Sequence, residues 1–142
     1  MTKASVILHA TSLRITQKAV LIIGPSGSGK SSLALQLLAL GAGLISDDRT
    51  LVSRRQDALL ASAPEQIAGL IEARGVGLLQ VPPAAPAPVA LVVDLAIRER
   101  DRLPLLHHHR VLGIDVTCLH NADSPHFAAA IMLYLKGSRK DT

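Results

Sequence analysis

The sequence predicts an α/β fold built around one phosphate-binding loop, and three adjacent features predict it. Ala19–Ile23 is a run of apolar residues of the kind a buried strand needs. Directly after it, Gly24-Pro25-Ser26-Gly27-Ser28-Gly29-Lys30-Ser31 completes the spacing G-x-x-x-x-G-K-S. A helical apolar pattern then opens, with Leu33, Leu37 and Leu40 on one face. Strand, loop and helix in that succession give the spacing its meaning. The glycines let backbone N–H groups curl around phosphate oxygens without Cβ clashes. Lys30 supplies a point charge for the β- and γ-phosphates, and the Ser31 hydroxyl is sized to hold Mg²⁺. The helix aims the positive end of its dipole at the same place.

The other elements follow in order. Val6–His9 reads as a short strand. Leu13–Ile15 alternates and pairs with Ala19–Ile23 around Thr16-Gln17-Lys18. The helix spans Ser31–Leu40, is apolar nearly all round, and ends at Gly41-Ala42-Gly43. Leu44–Ser46 is a strand that stops at Asp47-Asp48. Thr50–Ser53 and Ala58–Ala61 form a hairpin across Arg54–Asp57. Pro64–Gly69 is a turn, Leu70–Glu72 is extended, and Gly75 and Gly77 mark a bend. Pro82–Pro88 is a stiff connector. Val89–Val93 is a buried strand, and Leu112–Cys118 is a further strand candidate. Pro125 opens a helix that runs to Lys136 and closes at Gly137, and residues 138–142 form a frayed tail. His107-His108-His109 falls in a polar loop, because three consecutive side chains do not converge on one ion. The whole is a phosphate-loop core with added β-hairpins.

Composition bounds the partners. With 142 residues, 49% apolar and 18% charged, residues 1–142 make a single domain with its own core. A chain this apolar also predicts burial against copies of itself, a homo-oligomer. The net charge of +4 favours an anionic partner, which a nucleotide or an acidic protein satisfies. Nucleic acid is not the expected partner: Phe127 and Tyr134 are the only aromatics, so there is no stacking platform. Cys118 is the single cysteine, so no internal disulfide forms and a reducing cytoplasm fits. No apolar run reaches the roughly 18 residues of a membrane helix, and the first residues do not read as a signal peptide.

A phosphate loop leaves open which acids complete the site. Val89–Val93 followed by Asp94 is a Walker-B-like pattern, and on pattern alone Asp94 is the Mg²⁺ acid. Its bland alternative is a strand-end cap. Asp47-Asp48 is a second candidate, because adjacent carboxylates on an extended chain point in opposite directions.

Further segments order these candidates. The loop Gly24–Ser31, the stretch Ala42–Asp48 and the stretch Ile71-Glu72-Ala73-Arg74-Gly75-Val76-Gly77-Leu78-Leu79-Gln80-Val81 resemble the bifunctional HPr kinase/phosphorylase family. That family carries a P-loop, an acid pair and the signature E-I-R-G-L-G-I-I-N-V in this order. The likeness reaches upstream to His9, 21 residues before Lys30, and downstream to Asp101-Arg102-Leu103. It implies an α/β P-loop kinase core and a short form holding only the catalytic domain. It implies that Gly24–Ser31 bind ATP, that Lys30 also serves catalysis, and that Ser31 and Glu72 hold Mg²⁺. It implies that Asp48 is the general base toward the serine hydroxyl of the phosphocarrier protein HPr, that Asp47 assists, and that His9 and Arg102 complete the site. Phosphorolysis, the attack of inorganic phosphate on phosphoserine with release of pyrophosphate, is the family's reverse reaction. Its late P-V-x-x-G-R-N loop is not recognisable in Leu119–Pro125. The rival expectations are a small-metabolite kinase of the shikimate type and a nucleotide-binding regulatory module without turnover.

Overall fold

The computed structural model describes residues 4–64, 67–137 and 139–140, so the expected tail at Ser138, Asp141 and Thr142 and part of the turn at 64–69 lie outside it. The described elements are β1 (Ser5–Leu8), β2 (Ala10–Ile15), β3 (Lys18–Ile23), α1 (Lys30–Ala39), β4 (Gly43–Ser46), β5 (Thr50–Arg55) and β6 (Ala58–Ser62). There follow β7 (Leu70–Ala73), β8 (Gly77–Gln80), β9 (Ala87–Arg98), β10 (His107–Val111), β11 (Ile114–Asn121) and α2 (Phe127–Lys136).

β9 organises the main sheet. Its first residues pair antiparallel with β6, at Ala87 and Pro88. Its middle pairs parallel with β3, from Ala19↔Val89 to Ile23↔Asp94, and on its other side with β11. The strand order is β1-β5-β6-β9-β3-β2-β4, with the β10–β11 hairpin joined through β9. β7 and β8 form a separate two-stranded ribbon.

Period-2 alternation along β3 and β9 builds a core on each face. Val20, Ile22, Leu91 and Val93 pack against Leu33, Ala34 and Leu37 of α1 and Ile131, Met132 and Leu135 of α2. Ala19, Leu21 and Val92 face the other way, onto Val52, Leu59 and Ala61 of the β5–β6 hairpin and Val116 and Cys118 of β11. Strands buried on both faces read as continuous apolar runs, which is why Ala19–Ile23 and Val89–Val93 stand out in the sequence. Among the described residues no helix is long and apolar enough to cross a membrane.

Several sequence expectations are corrected. His9 is not in the first strand but at the bend between β1 and β2. The chain must turn there, since β1 pairs with β5 while β2 pairs with β3 and β4. His107–His109 is strand β10, not a loop; it pairs with β11 from His107↔Cys118 to Val111↔Ile114. Its turn is Leu112-Gly113, both at positive φ (48° and 81°), the backbone of a tight hairpin on residues that do not advertise it. Arg54 pins the turn by donating to the Leu112 carbonyl at 2.9 Å. Leu40 does not line the α1 core face but is about half exposed, because the helix ends at Ala39. Asp94 does not end its strand, which continues to Arg98; its Oδ1 accepts from the Ala96 N–H at 2.9 Å.

Cys118 is buried, and burial pushes its thiol up to about 11, with the Asp94 carboxylate adding to the shift. A thiol held that high stays protonated at neutral pH and behaves as a small apolar residue.

Candidate functional site

The Gly24–Ser31 loop sits between β3 and α1, at the carboxyl end of the parallel pair β3–β9. Gly24, Gly27 and Gly29 have φ of 147°, 83° and 103°. Those values let the chain double back, so that Ser28 N–H donates to the Pro25 carbonyl at 3.1 Å and α1 starts at Lys30. No atom lies within 4 Å of a Cβ built on Gly27 or Gly29, so both positions face open space. No side chain caps the α1 N-terminus, whose first N–H groups have no intrahelical partner. Ser28 Oγ is buried with no hydrogen-bond partner. A loop with free donors and open glycines fits phosphate oxygens.

Lys30 is 7% exposed, which is rare for lysine. Its Nζ donates to the carbonyls of Gly24 (2.8 Å) and Pro25 (3.2 Å). An ammonium has three N–H groups, so one remains for a ligand.

Gly24 allows a direct test. A Cβ there would lie 2.6 Å from Ser28 Oγ, and φ 147° lies where L-residues are strained. Gly24→Ala is expected to lower stability by about 1–3 kcal/mol in denaturant unfolding and to abolish nucleotide binding in a titration. Unchanged nucleotide affinity would show that the loop geometry is not what binds.

The acids gather around one carboxylate. Asp47 follows β4, and its Oδ1 accepts from Thr11 Oγ1 (3.0 Å) and Ser31 Oγ (3.2 Å). Its Oδ2 accepts from the Glu72 N–H at 3.3 Å. Asp47 thus ties together β2, α1 and β7. Asp48 points elsewhere: its Oδ1 lies 2.6 Å from His9 Nε2. The divergence expected of adjacent carboxylates is present, and a positive φ of 67° at Asp48 adds to it. Thr11 links the pair, since its Oγ1 donates to Asp47 and accepts from the Asp48 N–H at 3.1 Å.

Behind Thr11 lies a buried polar seam. Ser12, Ser46 and Thr50 are fully buried. Thr50 Oγ1 donates to the Ala10 carbonyl at 2.9 Å, so the 2.8 Å contact between Ser12 and Thr50 has Ser12 as donor. Each hydroxyl proton is used, and the seam fixes the β2–β5 spacing that presents Thr11 to the acids.

A cleft of about 630 Å³ opens over this cluster, lined by Ser26, Gly27, Gly29, Lys30, Ser31, Asp47, Asp48, Glu72 and Arg74, among others. That is the size range of small-ligand sites. Lys30, Ser31, Asp47, Asp48 and Glu72, all singled out from sequence, converge here, and His9 reaches it through Asp48. Arg102 does not: it lies exposed beyond β9 and is not among the lining residues. Asp94 is also absent from the lining, although its register partner Ile23 immediately precedes the loop. Asp94→Ala is therefore expected to keep most activity in a Mg²⁺ titration; loss of the Mg²⁺ dependence would restore the Walker-B reading.

Sequence reasoning missed Thr11 and Arg74. Thr11 sits in an apolar strand and carries no pattern of its own. Arg74 was legible only as a member of the segment that begins at Glu72.

Residues 2–85 match the family model described as HPr Serine kinase C-terminal domain. Over 102 residues, 71% of this chain, the sequence is 37% identical to the HPr kinase/phosphorylase of Acidovorax sp. (strain JS42) and 34% identical to that of Bordetella pertussis (strain Tohama I). The match spans only about 30% of the length of those relatives. Among solved structures, the Hpr(Ser) kinase/phosphatase from Coxiella burnetii superposes with a TM-score of 0.76 at 25% identity. That superposition covers 92% of this chain and 88% of the other, so the similarity of fold extends past residue 85.

Proposed function

This chain belongs to the HPr serine kinase C-terminal domain family, and from that premise we propose that it is an ATP- and Mg²⁺-dependent protein serine kinase acting on HPr. The observation that carries the proposal is the split acid pair: Asp47 turned to Ser31 beside the glycine loop, Asp48 turned to His9. That division supports a reading in which one carboxylate faces a metal-bound nucleotide and the other an acceptor.

In this reading residues 1–142 work as one P-loop catalytic domain. Gly24–Ser31 cradle the nucleotide phosphates, and the spare N–H of Lys30 binds a phosphate oxygen. Ser31, Asp47 and Glu72 would hold Mg²⁺, which when bound offsets the charge on the phosphate oxygens. The family resemblance had named Ser31 and Glu72; the contact of Ser31 with Asp47 adds Asp47 to the set. Asp48 accepts the proton of the serine hydroxyl as its oxygen attacks the γ-phosphorus and the bond to the ADP oxygen breaks. His9, at 2.6 Å, orients that carboxylate. Arg74, on the cleft wall, offers a second cation beside Lys30 for the transferring group. Arg102 joins the site only if the segment after β9 closes over it.

Phosphorolysis of phosphoserine by inorganic phosphate in the same cradle is the companion reaction to be tested, because the late loop that the family ties to dephosphorylation is not recognisable in Leu119–Pro125. A homo-oligomer in the cytoplasm completes the reading. The deciding experiment is incubation with purified HPr, labelled ATP and Mg²⁺, followed by phosphoserine mapping. Label on a single HPr serine is expected. No label on HPr, with label on a small metabolite, would sink the proposal. The same assay with phosphorylated HPr and inorganic phosphate tests the reverse direction through release of pyrophosphate.

A further inference from the structure

Away from the cleft, three metal-ligating side chains meet at the carboxyl ends of β9 and β11. Glu99 follows β9, His107 opens β10, and His120 lies near the end of β11. One donor atom from each lies within 4.8 Å of the others. His107 Nε2 and Glu99 Oε1 are 3.0 Å apart. Donors bound at about 2.0–2.2 Å around one tetrahedral ion lie roughly 3.3–3.5 Å from each other, so this pair already has nearly the required spacing. The group is sheltered rather than free on the surface: the Glu99 and His107 side chains are 13% and 31% exposed.

Strand geometry explains the meeting. His107 pairs with Cys118, and His120 lies two residues beyond Cys118 on the same face of β11. Glu99 is brought alongside because its N–H donates to the Asn121 carbonyl at 2.7 Å. The positions are therefore set by backbone ladders, not by loose loops, as a preorganised site requires. The Glu99 carboxylate is held below the usual carboxylate range, first by the Asp101 N–H and then, against the cost of burial, by His107.

The two imidazoles are stacked, with centroids 3.9 Å apart and planes within 10°. An imidazole nitrogen binds a metal in the plane of its ring, so His120 has to turn out of the stack to share an ion with His107. Two imidazoles and one carboxylate form a donor set that suits Zn²⁺ and its neighbours rather than Mg²⁺ or Ca²⁺.

We propose that Glu99, His107 and His120 bind one divalent transition-metal ion of the zinc class, which clamps the base of the segment between Glu99 and His107. That segment carries Arg102 and the exposed Leu103 and Leu105, each 83% exposed. An ion bridging both its ends removes much of its freedom at a point distant in sequence from the cleft residues. The site does not depend on what the cleft binds.

The test uses the tag-free full chain, dialysed against Zn²⁺ at neutral pH and analysed for metal, with Co²⁺ as a spectroscopic substitute. Wild type is expected to retain about one equivalent more than His120→Ala or Glu99→Gln, and its Co²⁺ form to show the visible bands of nitrogen coordination. The difference is insensitive to any ion held in the cleft. His108→Ala, whose side chain lies on the opposite strand face, is expected to match wild type. Trypsin cleavage after Arg100 and Arg102 is expected to slow with metal in wild type alone. Equal metal content in wild type and Glu99→Gln, including none in both, overturns the proposal. Glu99→Gln keeps the shape of the side chain, so it remains decisive if His120→Ala does not fold.

Discussion

Asp48→Asn is expected to lower phosphoryl transfer to HPr by about 10²–10⁴-fold while leaving nucleotide affinity nearly unchanged, the loss typical of a missing general base. Three features make this substitution clean. Asparagine has the same size, and it tolerates the positive φ of 67° that Asp48 adopts. The backbone anchor also survives, because Thr11 Oγ1 accepts from the N–H of residue 48 and not from its side chain. What is lost is the carboxylate charge beside His9 and, with it, the capacity to accept a proton. Transfer is measured with labelled ATP and HPr, and affinity with a fluorescent nucleotide. Normal transfer by the variant would remove Asp48 from the base position and leave His9, 2.6 Å away, as the candidate.

Asp47→Asn is expected to act on the other side of the site. The carboxylate accepts three hydrogen bonds, from Thr11, Ser31 and the Glu72 N–H. An amide has one oxygen, so either the Glu72 N–H meets an NH₂ group and its contact is lost, or the Thr11 and Ser31 hydroxyls must turn to accept instead of donate. The negative charge goes as well. Mg²⁺-dependent nucleotide affinity is expected to fall by about 10–100-fold, the scale seen when groups that set a metal's ligands are removed. A Mg²⁺ titration of nucleotide binding reads this directly, and thermal unfolding shows whether the β2–α1–β7 junction survives. An unchanged Mg²⁺ response in Asp47→Asn, together with a lost one in Asp94→Ala, would move the metal to β9. The two acid variants therefore separate: one loses turnover with affinity kept, the other loses metal-dependent affinity.

The residues that were legible share a property. Val20, Leu21 and Ile22 are buried by one sheet face or the other, so they appear as a run, and Gly24–Ser31 follows them without a break. Asp47 and Asp48 were legible because they terminate another apolar strand. Their opposite orientations needed the tertiary contacts to Thr11, 36 residues before Asp47, and to Ser31, 16 before it. β10 was missed because His107-His108-His109-Arg110 has the alternation of a half-buried strand but none of the apolar residues that mark one.

Local order along the chain thus determined the apolar strand, the glycine loop, the helix after it and the acid pair, since each is specified by residues within a few positions of one another. The glycines at positive φ and the buried Lys30 follow from that short stretch. What only the tertiary structure decided is how distant parts meet. The register of β2 on β3 and β4 aims Asp47 at Ser31, the bend at His9 brings its ring to Asp48, and the β9–β11 ladder sets Glu99 beside His107 and His120. The physical reason is that strand partners are chosen by long-range hydrogen bonding and burial. Those terms depend on the whole sheet, and no window of sequence contains them.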